Sequence, residues 1–387
     1  MFATNVITSI GFSVSMPYLS LYLNNVLHIP MTMVGIILMT ALVIGAFVGV
    51  YGGELSDRRG RRWVMLRSLF LRFFIFILMG FAIHERANIL VIVILLIMNA
   101  SLGSSFIPAS QAYVADLTSK EKRISAYGLL RIGGNLGWAL GPAIGGLLVM
   151  LDYAYLFYVT GFAMLIAVFI LLKFSEESLK GINVLNKTSM NLKELISVTK
   201  DRRFFIFTLI CLSVFIVWGQ LVSPISVYSV NRVGITKTQL GILFSINGFM
   251  VVLFQYFITH LVPKHKELTA LIIGSFIYAV GYLSIGFASS FAFLIASMII
   301  ITCGEMIITP TSSSYASIIA DSKHRGRYLG FFNLSQTWGW AFGPLLGGIL
   351  LDTFSGRSLY IWGIISALAI LSALGFLLFK SKTFSKP

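Results

Sequence analysis

The chain has 387 residues, of which 57% are hydrophobic and only 11% are charged, against roughly 25% charged residues in ordinary soluble domains. No water-soluble fold could bury that much apolar surface, so the composition excludes a soluble domain and indicates a chain that lies in a lipid bilayer. The net charge of +15 would suit a nucleic-acid-binding protein if the basic residues formed one patch. They are instead spread over short segments between apolar runs, which argues against that class.

In chain order, the sequence contains twelve mostly apolar runs of about 20 residues, the length that crosses a bilayer as a helix. They lie near residues 4–24, 31–52, 63–83, 88–115, 126–149, 153–174, 204–229, 236–262, 268–287, 289–318, 328–351 and 357–379. The first begins almost at once, so we interpret it as a span and not as a cleaved signal peptide. We predict an all-α membrane protein with an N-terminal six-helix bundle (1–174), a polar cytoplasmic linker (175–203) and a C-terminal six-helix bundle (204–387).

The two predicted bundles share a sequence repeat. When the chain is shifted by 202 positions, twelve residues of the stretch 108–146 fall on identical residues without a gap; the matched positions in the first copy are Pro108, Ser110, Tyr113, Arg123, Gly128, Gly137, Trp138, Ala139, Gly141, Pro142, Gly145 and Gly146. The early spans repeat at an offset of 206. A period of half the chain predicts two similarly folded halves, the parallel-repeat design of membrane transporters.

The basic residues predict the orientation in the membrane. With the N-terminus placed inside, the inward segments and the C-terminal tail hold 22 of the 29 Lys and Arg residues, and the outward loops hold four. Cytoplasmic loops carry an excess of Lys and Arg, so we predict a multi-pass protein of the cell membrane with both termini in the cytoplasm.

A charged segment joins the second and third runs and reads Gly53-Glu54-Leu55-Ser56-Asp57-Arg58-Arg59-Gly60-Arg61-Arg62. It resembles the Gly-x-Leu-Ala-Asp-Arg-x-Gly-Arg-Arg loop of the major facilitator superfamily. The resemblance implies a gate, in which Asp57 faces the start of span 11 in one conformation, and it assigns Gly53, Gly60 and Arg61 to the same device. A simple topology signal is the alternative interpretation, although an aspartate adds nothing to such a signal.

Glycine-proline motifs occur in both halves, and the first resembles the motif of the drug-exporting branch of that superfamily. Their main residues are Gly141, Pro142, Gly145, Gly343, Pro344 and Gly347. Small residues let membrane helices approach closely and Pro bends a helix, so close packing alone could explain both copies. The arginine that drug exporters usually carry in span 4 is missing, which argues against their usual proton relay.

Span 10 contains one acidic residue far from either membrane surface. Gly304-Glu305-Met306-Ile307 resembles the span-10 sequence of lactococcal-type proton-linked multidrug transporters. The other thirteen acids stand in loops or at span ends. A carboxylate near the midplane costs about 2.5 kcal/mol or more, and low dielectric favours its protonated form, so we predict that Glu305 carries a proton or contacts a cation. A neutral, hydrogen-bonded structural role is the alternative.

Further polar and aromatic residues in the spans are candidates for a substrate cavity. Arg72 lies deeper in span 3 than Arg67, which can reach the cytoplasmic surface, and so Arg72 needs a partner or water. The remaining candidates are Tyr22, Asn135, Trp138, Gln220, Asn247, Gln336 and Trp340. Each could equally pack against neighbouring helices.

These observations favour a secondary transporter that alternates its two bundles around a central site and exports lipophilic or cationic molecules in exchange for protons. Uptake of a small metabolite by proton symport is the alternative. A membrane enzyme would need His, Asp or Cys residues clustered within spans, and a receptor would not need an acid at the midplane. We expect no metal, no cofactor and no nucleic acid, and a monomer whose partners are its small-molecule substrate, protons and lipid.

Overall fold

The computed structural model describes residues 1–119, 122–178, 197–261, 266–321 and 324–384. Within these ranges the chain forms α-helices, short π and 3-10 turns, and no β-strand. The thirteen α-helices of the described residues are α1 (Phe2–Leu21), α2 (Met31–Arg59), α3 (Arg61–His84), α4 (Ile89–Leu117), α5 (Arg123–Leu148), α6 (Tyr153–Phe174), α7 (Arg202–Trp218), α8 (Pro224–Tyr228), α9 (Lys237–Leu261), α10 (Glu267–Ile285), α11 (Phe291–Ile319), α12 (Arg325–Thr353) and α13 (Ser358–Phe384).

These helices confirm the prediction of an all-α membrane protein. Nine helices of the described residues are long and apolar enough to cross a membrane. The other three predicted spans correspond to α5 and α12, which carry the glycine-rich repeats, and to α7 together with α8. Most of the predicted linker, residues 179–196, lies outside the described residues, as do Lys120, Lys264 and Lys323 of the basic segments.

Polar residues placed just before apolar runs begin several helices. The side chains of Asn88, Asp152 and Asp201 accept hydrogen bonds from the first free backbone N–H groups of α4, α6 and α7, over 2.9, 2.7 and 3.0 Å. Ser290 does the same for α11 at 3.3 Å. An N-cap oxygen satisfies a backbone donor that has no partner within its helix, so these four positions explain where the runs become helical.

Two predicted boundaries were wrong. The seventh span was expected to be continuous over 204–229, but α7 ends at Trp218 and the chain passes through Gly219 to a second short helix that starts at Pro224. Proline lacks the N–H that a continuing helix needs, and glycine weakens helix, so the break is local in origin. The charged segment after the second run was expected to be a loop, but α2 continues to Arg59 and α3 starts at Arg61.

The chain divides into two compact units. Unit 1 comprises Met1–His28, the described part of Ile37–Lys187, and Thr236–Val252; unit 2 comprises Ile29–Ile36, the described part of Thr188–Ile235, and Leu253–Pro387 as far as residue 384. The first turns of α2 therefore belong to unit 2, and most of α9 belongs to unit 1.

The same helix pairs pack within each unit. In unit 1, α1 packs on α5 and α6, and α3 packs on α4 and α6; in unit 2, α7 packs on α12 and α13, and α10 packs on α11 and α13. Equivalent contacts recur in detail, since the hydroxyls of Tyr22 and Tyr228 each donate over 3.3 Å to a backbone carbonyl, of Ile83 and Ile285 respectively. The sequence repeat thus corresponds to a repeat in packing.

Candidate functional site

The charged segment after the second run forms a tight corner between α2 and α3. Gly60 is the one residue between the two helices, and its φ of +111° is a conformation that side chains other than glycine's rarely adopt. A Cβ there would also lie 2.7 Å from Cδ of Glu177. Gly53, by contrast, lies inside α2 with nothing within 4 Å of an added Cβ. Of the two glycines that the resemblance assigns to the gate, Gly60 makes the turn.

Arg61 is the centre of this corner. Its side chain is buried, with 5% of its surface exposed, and it forms ion pairs with Asp57 and with Asp116, the latter at 3.4 Å from Nε. Nη1 donates to Oγ of Ser56 over 2.9 Å. A buried guanidinium is stable only when carboxylates and other acceptors use its donors, and here they come from the ends of α2 and α4.

Glu177 attaches the segment that follows α6 to the same corner. Its carboxylate accepts hydrogen bonds from the backbone N–H groups of Arg61 and Arg62, at 2.8 and 3.1 Å. These are among the first N–H groups of α3, where the helix dipole favours a negative charge. Ser178 then donates to Asp116 over 3.0 Å. We call the group Ser56, Asp57, Gly60, Arg61, Asp116, Glu177 and Ser178 the α2–α3 corner.

Sequence reasoning identified Asp57 and Arg61 but missed Asp116 and Glu177. The repeat contained a signal for Asp116, because the position 202 residues later is Ile318. An acid present in one copy of a duplicated helix and absent from the other departs from the repeat, so this comparison could have identified Asp116.

The glycine-proline motif of α5 is a close contact surface in unit 1. A Cβ on Gly141 would lie 2.7 Å from the carbonyl oxygen of Ile10, and one on Gly145 would lie 2.6 Å from the ring of Tyr18. The Tyr18 hydroxyl donates to the carbonyl of Pro142 over 2.7 Å. The motif therefore allows α1 to lie directly against α5.

The second motif performs the same role in unit 2. A Cβ on Gly343 would lie 2.9 Å from the carbonyl of Ile216, and one on Gly347 would lie 2.7 Å from Cβ of Pro224. Further along α12, the Asp352 carboxylate accepts from the backbone N–H groups of Met31 and Thr32 at 3.1 and 2.7 Å. It thereby caps the start of α2 from a residue 320 positions away in sequence.

Glu305 lies at the middle of α11, with fourteen residues of the helix on either side. Gly304 brings α11 against α10, since a Cβ there would lie 2.6 Å from the ring of Tyr278. The Glu305 carboxylate acts electrostatically on the hydroxyls of Tyr278 and Tyr282, both of which are buried. The side chain itself is half-buried. Within the described residues, the other acids lie within six residues of a helix end or outside helices.

Arg72 lies at the middle of α3 in unit 1, with eleven residues of the helix before it and twelve after. It is buried, at 7% exposure. Nε donates to Oδ1 of Asn99 in α4 over 2.9 Å, and the guanidinium carbon lies 5.6 Å from the centre of the Phe76 ring. Arg67, one and a half turns earlier, is exposed and lies against Trp63.

The remaining cavity candidates divide by burial. Tyr22, Gln220 and Asn247 are buried, and Gln220 donates to the carbonyl of Gly343 over 2.8 Å. Asn135, Trp138, Gln336 and Trp340 are half-buried. Trp340 lies 4.5 Å from Trp218, centre to centre. Gln220, which lies between α7 and α8, thus bonds to the backbone of α12. The four half-buried residues are the more accessible candidates for a substrate cavity.

No group of three or more His, Cys, Asp or Glu side chains that could hold a metal ion occurs in the described part of the chain. The charged candidate residues are two at mid-helix positions, Arg72 and Glu305, and those of the α2–α3 corner.

Comparison with known families decides the identity of the fold. The model of the Major Facilitator Superfamily matches residues 1–334 and 231–387. The chain belongs to this superfamily of transporters. Two relatives match nearly the whole chain. The uncharacterized MFS-type transporter YqjV of Bacillus subtilis is 26% identical over 364 residues, which cover 93% of this chain and 87% of that protein. Multidrug resistance protein MdtH of Proteus mirabilis is 26% identical over 353 residues, covering 90% and 85%.

Solved structures of other transporters share the fold. A POT family transporter in complex with a thioalcohol-conjugated peptide superposes with a TM-score of 0.81 at 16% identity, covering 99% of this chain and 96% of that one. The nucleoside transporter NupG superposes with a TM-score of 0.77 at 14% identity, covering 98% of both chains. At these identities the likeness concerns the fold alone.

Proposed function

We propose that this superfamily member is a secondary active transporter that works by alternating access and exports lipophilic or cationic small molecules in exchange for protons. The observation that carries the proposal is Glu305, the central residue of a 29-residue helix. A carboxylate at that depth costs about 2.5 kcal/mol or more, a cost that a proton or a cationic substrate offsets. Some relatives are named multidrug resistance proteins, which supports export over import and lipophilic compounds as the substrates.

The α2–α3 corner is the proposed gate. The Arg61 guanidinium joins the ends of α2 and α4, and Glu177 attaches the segment after α6 to the backbone N–H of the same residue, so four chain segments of unit 1 meet at Arg61. Such ion pairs can be formed in one conformation and broken in another, as a gate that stabilises one of two conformations requires. We place the protein in the cell membrane as a monomer with both termini in the cytoplasm.

The test of coupling is Glu305→Gln, which keeps the shape of the protonated side chain. Purified protein is reconstituted in proteoliposomes, and ethidium movement is followed with and without an imposed pH gradient. We expect the variant to lose gradient-driven accumulation while ethidium binding changes by less than about threefold, roughly 0.7 kcal/mol. Glu267→Gln, at the start of α10 in the same unit, is the matched control and should retain native transport.

Gradient-driven accumulation by Glu305→Gln at the native rate would refute the assignment of the proton site. Ethidium movement in the same direction as the protons, by the native protein, would instead establish symport and thus the import alternative.

A further inference from the structure

Two arginine side chains are buried in the described part of the chain, and they have opposite surroundings. Arg61 has two carboxylate partners, Asp57 and Asp116. Arg72 has no acidic side chain within 4 Å among the described residues. Its hydrogen-bond partner there is the neutral amide of Asn99.

The arrangement leaves most of the Arg72 donors unused. A guanidinium carries five N–H donors, and the bond from Nε to Asn99 uses one of them. Nη1 and Nη2 have no hydrogen-bond partner among the described residues, and they lie 3.7 and 3.8 Å from the position that a Cβ on Gly103 would take. A buried cation without a counter-ion is costly, so a group that brings negative charge to these donors would bind strongly.

Arg72 is also held in place as a binding group would be. Asn99 fixes Nε from one side, and the Phe76 ring, 5.6 Å from the guanidinium carbon, limits its movement on another. Phe76 is buried at 1% exposure and Asn99 at 3%. A rigid planar fork of donors in apolar surroundings matches the two oxygens of a carboxylate.

The position of Arg72 relates it to Glu305. Gly103 is the repeat counterpart of Glu305, and each is the central residue of its 29-residue helix, α4 or α11. Where unit 2 places a carboxylate, unit 1 has a glycine covered by the Arg72 guanidinium. The two units therefore carry charges of opposite sign at equivalent positions of the repeat.

We propose that Arg72 and Asn99 form a carboxylate-binding site in unit 1, and that the transported compounds include lipophilic carboxylates, whether anionic or zwitterionic. The carboxylate oxygens accept from Nη1 and Nη2 of Arg72, and the apolar body of the ligand lies among the hydrophobic side chains of the spans. This proposal rests on the proposed transport function, because it takes the ligand of the site to be a transported substrate. It adds a chemical class for that substrate.

The experiment measures equilibrium binding to the purified full-length protein in detergent, without any gradient. The probes are 1-naphthoate and 1-naphthamide, which have the same ring system and differ in charge. Because charge-assisted hydrogen bonds are roughly twice as strong as neutral ones, we expect the native protein to bind the carboxylate at least about tenfold more tightly than the amide, a difference of roughly 1.4 kcal/mol. Arg72→Gln should abolish that preference and retain amide binding. Arg67→Gln removes the same charge from an exposed position of the same helix and should keep the preference.

A second variant covers the case in which Arg72→Gln does not fold. Asn99→Asp keeps the size of the side chain and places a carboxylate beside Nε, so the protein itself neutralises Arg72. We expect this variant to lose the preference for naphthoate as well. Equal binding of the two probes by the native protein, no naphthoate binding, or a preference that persists in Arg72→Gln or Asn99→Asp would overturn the proposal. Because no gradient is involved, loss of transport in Glu305→Gln neither supports nor weakens the result.

Discussion

At the scale of single residues, the charges of this protein differ mainly in how they are neutralised. Arg61 is buried and paired with carboxylates, Glu305 is half-buried and acts on two tyrosine hydroxyls, and Arg72 is buried beside a neutral amide. Asp57 keeps 33% of its side chain exposed, so its pair with Arg61 is partly screened by solvent. Arg61 would retain Asp116 and Ser56 without it.

The Asp57→Asn variant is therefore expected to fold and to fail in turnover. We predict a stability loss of about 1 kcal/mol or less, substrate affinity within about threefold of native, and transport at least about tenfold slower, a change of roughly 1.4 kcal/mol in the barrier. Flux and binding measured on the same proteoliposome preparation check this.

Glu54→Gln is the control for that variant. Glu54 pairs with Arg58 on the same helix at the same four-residue spacing, but both side chains are more exposed, at 36% and 69%. Its transport should equal the native rate. Native transport by Asp57→Asn at normal expression would leave the charged segment with a topology role only.

At the scale of helices, the glycine-rich repeats set how closely elements pack. A Cβ on Gly137 in α5 would lie 2.6 Å from the carbonyl carbon of Ser9 and 2.7 Å from the amide nitrogen of Ile10, both backbone atoms that cannot move independently. A Cβ on Gly339 in α12 would lie 2.8 Å from the carbonyl carbon of Phe215. The same substitution thus meets a neighbouring backbone in each unit.

We predict that Gly137→Ala and Gly339→Ala each destabilise the protein by about 1–3 kcal/mol, the usual cost of forcing extra volume into a packed contact. Gly128→Ala in α5 and Gly326→Ala in α12 are matched controls, because nothing lies within 4 Å of a Cβ at either position. Alanine also has a higher helix propensity than glycine, so the control substitutions should be neutral or slightly stabilising. Thermal unfolding in detergent distinguishes the pairs, and equal melting temperatures for all four variants would contradict the packing interpretation.

At the scale of the whole molecule, the orientation in the membrane remains a prediction from the basic residues. In a variant whose Cys211 and Cys303 are replaced by Ala, we expect Ser355→Cys, after α12, to react with a membrane-impermeant maleimide in intact cells. Ser381→Cys, near the end of α13, should react only after permeabilisation. Both serines are exposed in the structure, so access is governed by the membrane and not by packing. The opposite labelling pattern would invert the topology.

The sequence by itself determined the class of fold and the span positions to within a few residues, apart from the break near Gly219 and the continuation of α2 to Arg59. It could do so because a bilayer selects apolar runs of about 20 residues, a property that each segment shows alone. It also singled out Glu305, because an acid in the middle of an apolar, duplicated helix is visible without knowing any neighbour.

The tertiary structure alone decided which charges meet. Arg61 contacts Asp116, which is 55 residues away in sequence, and Glu177, which is 116 residues away. Asp352 caps the start of α2 although it lies 320 residues from Thr32 in sequence. It also showed that the described residues place no carboxylate beside Arg72, which makes that residue a candidate anion site. Hydropathy and repeats describe one segment at a time, whereas ion pairing falls off over a few ångströms and depends on which distant helices the packing brings together.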